Sequence, residues 1–188
     1  YLTPLGRRWC VLLVASAAYV AVSGWQTLAH LAVLTLVSWG GAQALTRLRR
    51  GRRALLAALL TLDLGAMLLL KYQPGFARWV NTCFGTERQP LLSVWELALP
   101  LGLSYFTFQS AGYLVDVYRG KAPAQGNPAR VGLFLGFFPQ LAQGPISTWK
   151  ELADQLLAGH ALDPTEFVSG FQLLLWGYFK KMVIADRL

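Results

Sequence analysis

Apolar residues run along this chain in long blocks, without the strict alternation of a half-buried strand. The first block, 9–25, is bracketed by Trp9 and Trp25, as an interfacial aromatic belt brackets a membrane span. The second, 28–45, follows the tight uncharged linker Ser23-Gly24, so the two are predicted to form a helical hairpin. The third, 54–70, is short of the ~20 residues that cross a bilayer core. Lys71 and Tyr72 are placed to complete it by snorkelling. Residues 73–89 hold Pro74, Gly75, Gly85 and three charges. They are predicted to be a loop with room for a short surface helix at 76–80.

A further apolar stretch, 91–118, is broken by Pro100, Gly102 and Gly112. Residues 131–146 contain Gly136, Pro139, Gly144 and Pro145, which predicts a bent span or a re-entrant segment. Irregular backbone is tolerated at membrane depth where it is buried in protein or lines a cavity. The period then changes. Trp149, Leu152, Ala153, Leu156 and Leu157 form one face of a helix over 149–157, with Lys150, Glu151, Asp154 and Gln155 on the other. Thr148 and Glu151 have capping-box spacing. This amphipathic helix is expected flat on the membrane surface. A last helix, 164–185, opens at Asp163-Pro164, an N-cap followed by proline at the first helical position. The fold class is therefore all-α: polytopic transmembrane helices, a short amphipathic surface helix and a broken or re-entrant segment.

Composition supports this class. Hydrophobic residues make up 55% of the chain and charged residues 14%, against about 25% charged in a soluble domain. The net charge of +8 comes largely from arginines beside apolar blocks: Arg7, Arg8 and the cluster Arg47, Arg49, Arg50, Arg52 and Arg53. That distribution suits the positive-inside bias and argues against a nucleic-acid partner, for which no soluble core is evident. Cys10 and Cys83 have no metal-ligand spacing and are expected as free thiols. No metal site is expected.

Chemistry can reside only in polar residues set within apolar sequence. Asp63 lies mid-block, where a bare carboxylate is costly, so it should face other helices and be hydrogen-bonded or protonated. Ser104, Tyr105, Thr107, Gln109 and Ser110 follow Pro100 and Gly102. Asp116, Tyr118 and Arg119 come next, and Gln140, Gln143 and Ser147 surround Pro139 and Pro145. Such residues either line a cavity for a polar substrate or satisfy one another as interhelical glue. The residues alone leave both readings open. Asp116 and Arg119, three apart, have the spacing to pair on a helix.

Four stretches carry a resemblance. In chain order they are LLLKYQPGFA (68–77), LPLGLSYFTFQSAGYLVDVYRG (99–120), FFPQLAQGPI (137–146) and GYFKKMVIADRL (177–188). They resemble the membrane-bound O-acyltransferase family, in the branch that O-acetylates alginate. The resemblance implies a single domain over 1–188, incomplete at both ends, in a multi-pass protein of the bacterial inner membrane. It implies transfer of an acetyl group to hydroxyls of an exported, alginate-like polysaccharide. The acyl donor would be acyl-CoA or a carrier-linked acetyl group, a substrate with no bound cofactor. The bilayer, the polysaccharide and periplasmic acetylation proteins would be partners.

The same resemblance implies tunnel-lining roles for Tyr105, Gln109, Asp116, Arg119, Gln140, Lys180 and Lys181. It implies structural roles for Pro100, Gly102, Pro139, Gly144, Pro145, Asp186 and Arg187. The family's general-base histidine is expected beyond Leu188, because His30 and His160 match no motif. Residues 1–188 alone are accordingly expected to be inactive. Two rivals stand beside this reading: a transporter or scaffold subunit without chemistry, and a decayed gene remnant.

Overall fold

The computed structural model describes residues 4–48, 50–84, 102–141, 144–158 and 163–187. Among these the fold is all-α, with no strand. The helices are α1 (Arg8–Val22), α2 (Trp25–Arg47), α3 (Arg52–Phe84), α4 (Leu103–Tyr118), α5 (Pro128–Leu135), α6 (Phe138–Leu141), α7 (Trp149–Ala158) and α8 (Pro164–Phe179). A π-helical turn, Lys180–Ile184, and a 3-10 turn, Ala185–Arg187, continue α8. Two helices, Trp25–Arg47 and Arg52–Cys83, are long and apolar enough to cross a membrane.

Helix α2 is the hub, packing on α1, α3, α4 and α5. It turns back from α1 through Ser23 and Gly24, whose φ of +125° suits a residue without a side chain. Its buried face includes Leu31, Leu34, Thr35, Ser38, Ala42 and Leu45. Small and hydroxyl residues at these positions let neighbouring helices approach closely, and the hydroxyls bond within or between helices. Thr35 Oγ1, for example, donates to the Leu31 carbonyl at 2.7 Å.

Three expectations need correction. The loop expected from residue 73 is instead helix: α3 runs through Pro74 as far as Phe84. Proline removes one backbone hydrogen bond, but Ala77 beyond it is fully buried, and that packing keeps the helix going. The bent or re-entrant segment expected over 131–146 is indeed broken, into two short helices, and its start differs. Helix α5 begins earlier, at Pro128, because Asn127 Oδ1 accepts the Ala129 amide at 2.9 Å. It ends at Gly136, α6 follows, and 144–148 is not helical. Third, the apolar face of α7 meets protein where a membrane surface was expected: Trp149, Leu152 and Ala153 are buried, and α7 packs on α5 and α1. The Trp149 ring stands 4.8 Å from that of Tyr113 and 4.9 Å from that of Phe134, within the favourable range for aromatic pairs.

Two caps form as expected. The Thr148 amide donates to Glu151 Oε2 at 3.2 Å, and the Thr165 amide to Asp163 Oδ1 at 2.8 Å. Helix α4 starts at Leu103, so the expected helix over 91–118 is described only in its second half.

Candidate functional site

The polar residues of α4 form two groups, each tied to a different neighbour. The first faces α6 and the segment after it. Gly102 opens α4 at φ +73°, and a Cβ there would lie 2.5 Å from Leu141 Cδ2. A glycine therefore allows the start of α4 to sit directly against α6. This placement brings Tyr105 to the backbone of 144–147: its hydroxyl donates to the Pro145 carbonyl at 2.6 Å and lies 3.0 Å from Gln140 Oε1. Gln140 Nε2 donates onward to Ser147 Oγ at 3.1 Å. Tyr105, Gln140 and Ser147 are each half-buried, and Pro139 and Pro145 are exposed. One turn further along α4, Gln109 is 1% exposed. Its Nε2 donates to the Phe134 carbonyl at 3.0 Å, while its Oε1 has no partner among the described residues.

The second group faces α2 and α3. Ser110 Oγ lies 2.7 Å from Asp63 Oδ2 and 2.6 Å from Ser38 Oγ, and all three residues are buried. The far end of α4 is held by backbone contacts. Tyr113 accepts the Gln125 amide at 3.0 Å, Gln43 Nε2 donates to the Gln125 carbonyl at 2.9 Å, and Arg52 Nη2 donates to the Tyr118 carbonyl at 3.1 Å.

The polar residues described here thus largely bond to one another, as the interhelical reading anticipated. A cavity of about 300 Å³ opens between α1, α2 and α5, with Ser16 and Thr35 among mostly apolar walls. Tyr105, Gln109 and Gln140 do not line it.

Comparison with known proteins finds similar sequences. The probable alginate O-acetylase AlgI of Pseudomonas aeruginosa is 33% identical over 193 residues, covering 97% of this chain and 36% of that protein. That of Pseudomonas putida is 35% identical over 193 residues, covering 97% and 39%. Along almost its whole length the chain is similar to alginate O-acetylases, members of the membrane-bound O-acyltransferase family. It spans little more than a third of the length of these relatives. A peptidoglycan O-acetyltransferase of Helicobacter pylori is also similar, 33% identical over 118 residues, covering 49% of this chain and 22% of that protein. No family model matches the chain, and no solved structure matches it significantly.

The residues singled out by the motifs do not all converge. Tyr105 and Gln140 meet directly, and Gly102, Gly144 and Pro145 shape the backbone around them. A Cβ on Gly144 would lie 2.5 Å from Gln140 Cα. Asp116 is half-buried and Arg119 exposed. They make no ion pair, contrary to the pairing their spacing suggested. The Asp116 carbonyl instead accepts the Lys121 and Ala122 amides at 2.8 and 3.3 Å, closing the turn after α4. Lys180, Lys181, Asp186 and Arg187 are exposed on the continuation of α8, away from α4. The Lys180 ammonium lies 5.5 Å from the Trp176 ring centroid. Pro100, Gln143 and His160 lie outside the described residues. The His30 ring sits 6.0 Å from that of Phe106, and its Nε2 has no hydrogen-bond partner among the described residues. Sequence reading placed Trp149 on an apolar face but missed that it braces α4 and α5 together. Membrane association is supported by the similarity to these acetylases and by the two long apolar helices among the described residues.

Proposed function

We propose that this chain is part of a multi-pass inner-membrane O-acyltransferase that moves an acetyl group to hydroxyls of an exported, alginate-like polysaccharide. The observation that carries the reading is the match to alginate O-acetylases along almost the whole chain. In the reaction, a sugar hydroxyl attacks the acetyl carbonyl of the donor. The hydroxyl proton leaves to a base, the bond from the acetyl carbon to the donor breaks, and an ester forms. The donor is an acyl-CoA or a carrier-linked acetyl group, and periplasmic acetylation proteins are partners.

Within this reading, Tyr105 and Gln140 hold the polar edge past which the acceptor moves. A phenol and a primary amide are donors and acceptors suited to sugar hydroxyls, and both side chains are half-buried. Gln109 Oε1 adds an acceptor without a protein partner. Asp116, Arg119, Lys180 and Lys181 sit at the ends of α4 and α8, where they would meet the charged donor or acceptor. The similarity to a peptidoglycan O-acetyltransferase favours a second acceptor class, amino-sugar polymers, for the same chemistry.

The test is a chimera: the Pseudomonas aeruginosa relative, with its matching segment replaced by this chain, is expressed in cells lacking their own acetylase. The reading expects acetyl esters on the exported polymer. Unacetylated polymer from cells with membrane-inserted chimera would refute it.

A further inference from the structure

Asp63 is 3% exposed on α3, about 16 Å along the helix axis from Arg52 at 1.5 Å per residue. It joins a chain of three short contacts that crosses three helices. Asp63 Oδ2 and Ser110 Oγ are 2.7 Å apart, Ser110 Oγ and Ser38 Oγ 2.6 Å, and Ser38 Oγ and the Leu34 carbonyl 2.6 Å. Each distance is that of an O–H···O hydrogen bond, and each such bond needs one proton between its oxygens. The carbonyl supplies none and the two serines supply one each. With Asp63 ionised, three contacts would share two protons, and one oxygen pair would stand at about 2.6 Å with lone pairs opposed.

We infer that Asp63 carries the third proton, so that Asp63, Ser110, Ser38 and the Leu34 carbonyl form a single directed chain, each member donating to the next. The surroundings agree. Burial and the Ser110 hydroxyl are what the carboxyl meets; among the described residues no basic side chain offsets it. On the packed helices, His30 and Arg47 of α2, Asp116 of α4, and Arg52, Arg53 and Lys71 of α3 lie roughly 9–16 Å away along their axes. Tyr113 turns its hydroxyl to the Gln125 amide, and Tyr105 turns its own to Pro145. A neutral acid in such a place also avoids the cost of an unpaired buried carboxylate. Asp63 is thus a proton-binding site that clasps α2, α3 and α4. Removing the proton leaves one contact without a hydrogen and opens the clasp at that joint.

Infrared spectroscopy of the chain in lipid nanodiscs, labelled with carbon-13 aspartate, tests this directly. Asp154, Asp163 and Asp186 are exposed, whereas Asp63 is buried and Asp116 half-buried. We expect a labelled protonated-carboxyl C=O band at neutral pH that survives Asp116→Asn, disappears in Asp63→Asn and moves to higher frequency in Ser110→Ala. A wild-type spectrum with carboxylate bands only would overturn the inference, without recourse to any variant. So would a band lost in Asp116→Asn instead. Neither outcome depends on whether the chain transfers acyl groups.

Discussion

Tyr105 and Gln140 are 35 residues apart in the chain and meet at 3.0 Å. Their contact depends on the single phenolic hydroxyl, whose shorter bond, 2.6 Å, goes to the Pro145 carbonyl. Tyr105→Phe leaves that carbonyl and the Gln140 amide oxygen without this donor. It should cost on the order of 1–3 kcal/mol, read as a lower unfolding midpoint in detergent. Gln109→Leu should cost a similar ~1–3 kcal/mol, because the Phe134 carbonyl then loses its donor. At the start of α7, the Thr148 side chain and amide hold the Glu151 carboxyl below the usual carboxylate range. A depressed value means that the contribution is complete above the ordinary Glu value of 4.5 and fades as pH falls through the lower one. Carboxyl NMR titration of Glu151 should give a midpoint below 4.5, and Thr148→Ala should raise it. A midpoint at the ordinary value would contradict the cap.

At the scale of elements, the sequence was legible where a local signal and the helical period coincide. Asp163-Pro164 announced α8, and Thr148 with Glu151 announced α7. The same logic applied to Asn127-Pro128 would have placed the start of α5, but the apolar run beginning at Val131 drew the boundary inward. Pro74 misled in the opposite direction. Proline is a weak stop where the following turn is packed, and Ala77 is packed completely. No local pattern announces that Ser38, Asp63 and Ser110 meet, since they lie on three helices. Two glycines carry testable demands. Gly144→Ala would press a Cβ to 2.5 Å from Gln140 Cα, against backbone that cannot rotate away. It should separate Gln140 from Tyr105 and make the stability cost of Tyr105→Phe much smaller in that background. Gly102→Ala forces a side chain at φ +73° against Leu141. It should destabilise by at least the ~1 kcal/mol that a left-handed conformation costs, measured by the same unfolding assay. Additive costs for Gly144→Ala and Tyr105→Phe would show that the two ends of this contact act separately.

For the whole molecule, helix class and the family resemblance were legible from long apolar blocks and four ordered motifs, and the comparisons agree on that resemblance. The site was legible only in part. The motifs named Tyr105, Gln140, Gly144 and Pro145 together, and the fold brings them together. They also named Lys180, Lys181, Asp186 and Arg187, which the fold leaves exposed on the continuation of α8. Motif membership records shared ancestry, whereas proximity depends on packing between helices, which no single segment encodes. The central claim is that the α4–α6 edge handles the acceptor of an acetyl transfer. Its most direct test is the acetyl-ester content of exported polymer from cells carrying the chimera with Tyr105→Phe and Gln140→Leu combined. The account predicts a drop of roughly tenfold or more, as expected for lost positioning of a reactant, at unchanged chimera abundance in the membrane. Acetylation equal to that of the unsubstituted chimera would contradict it.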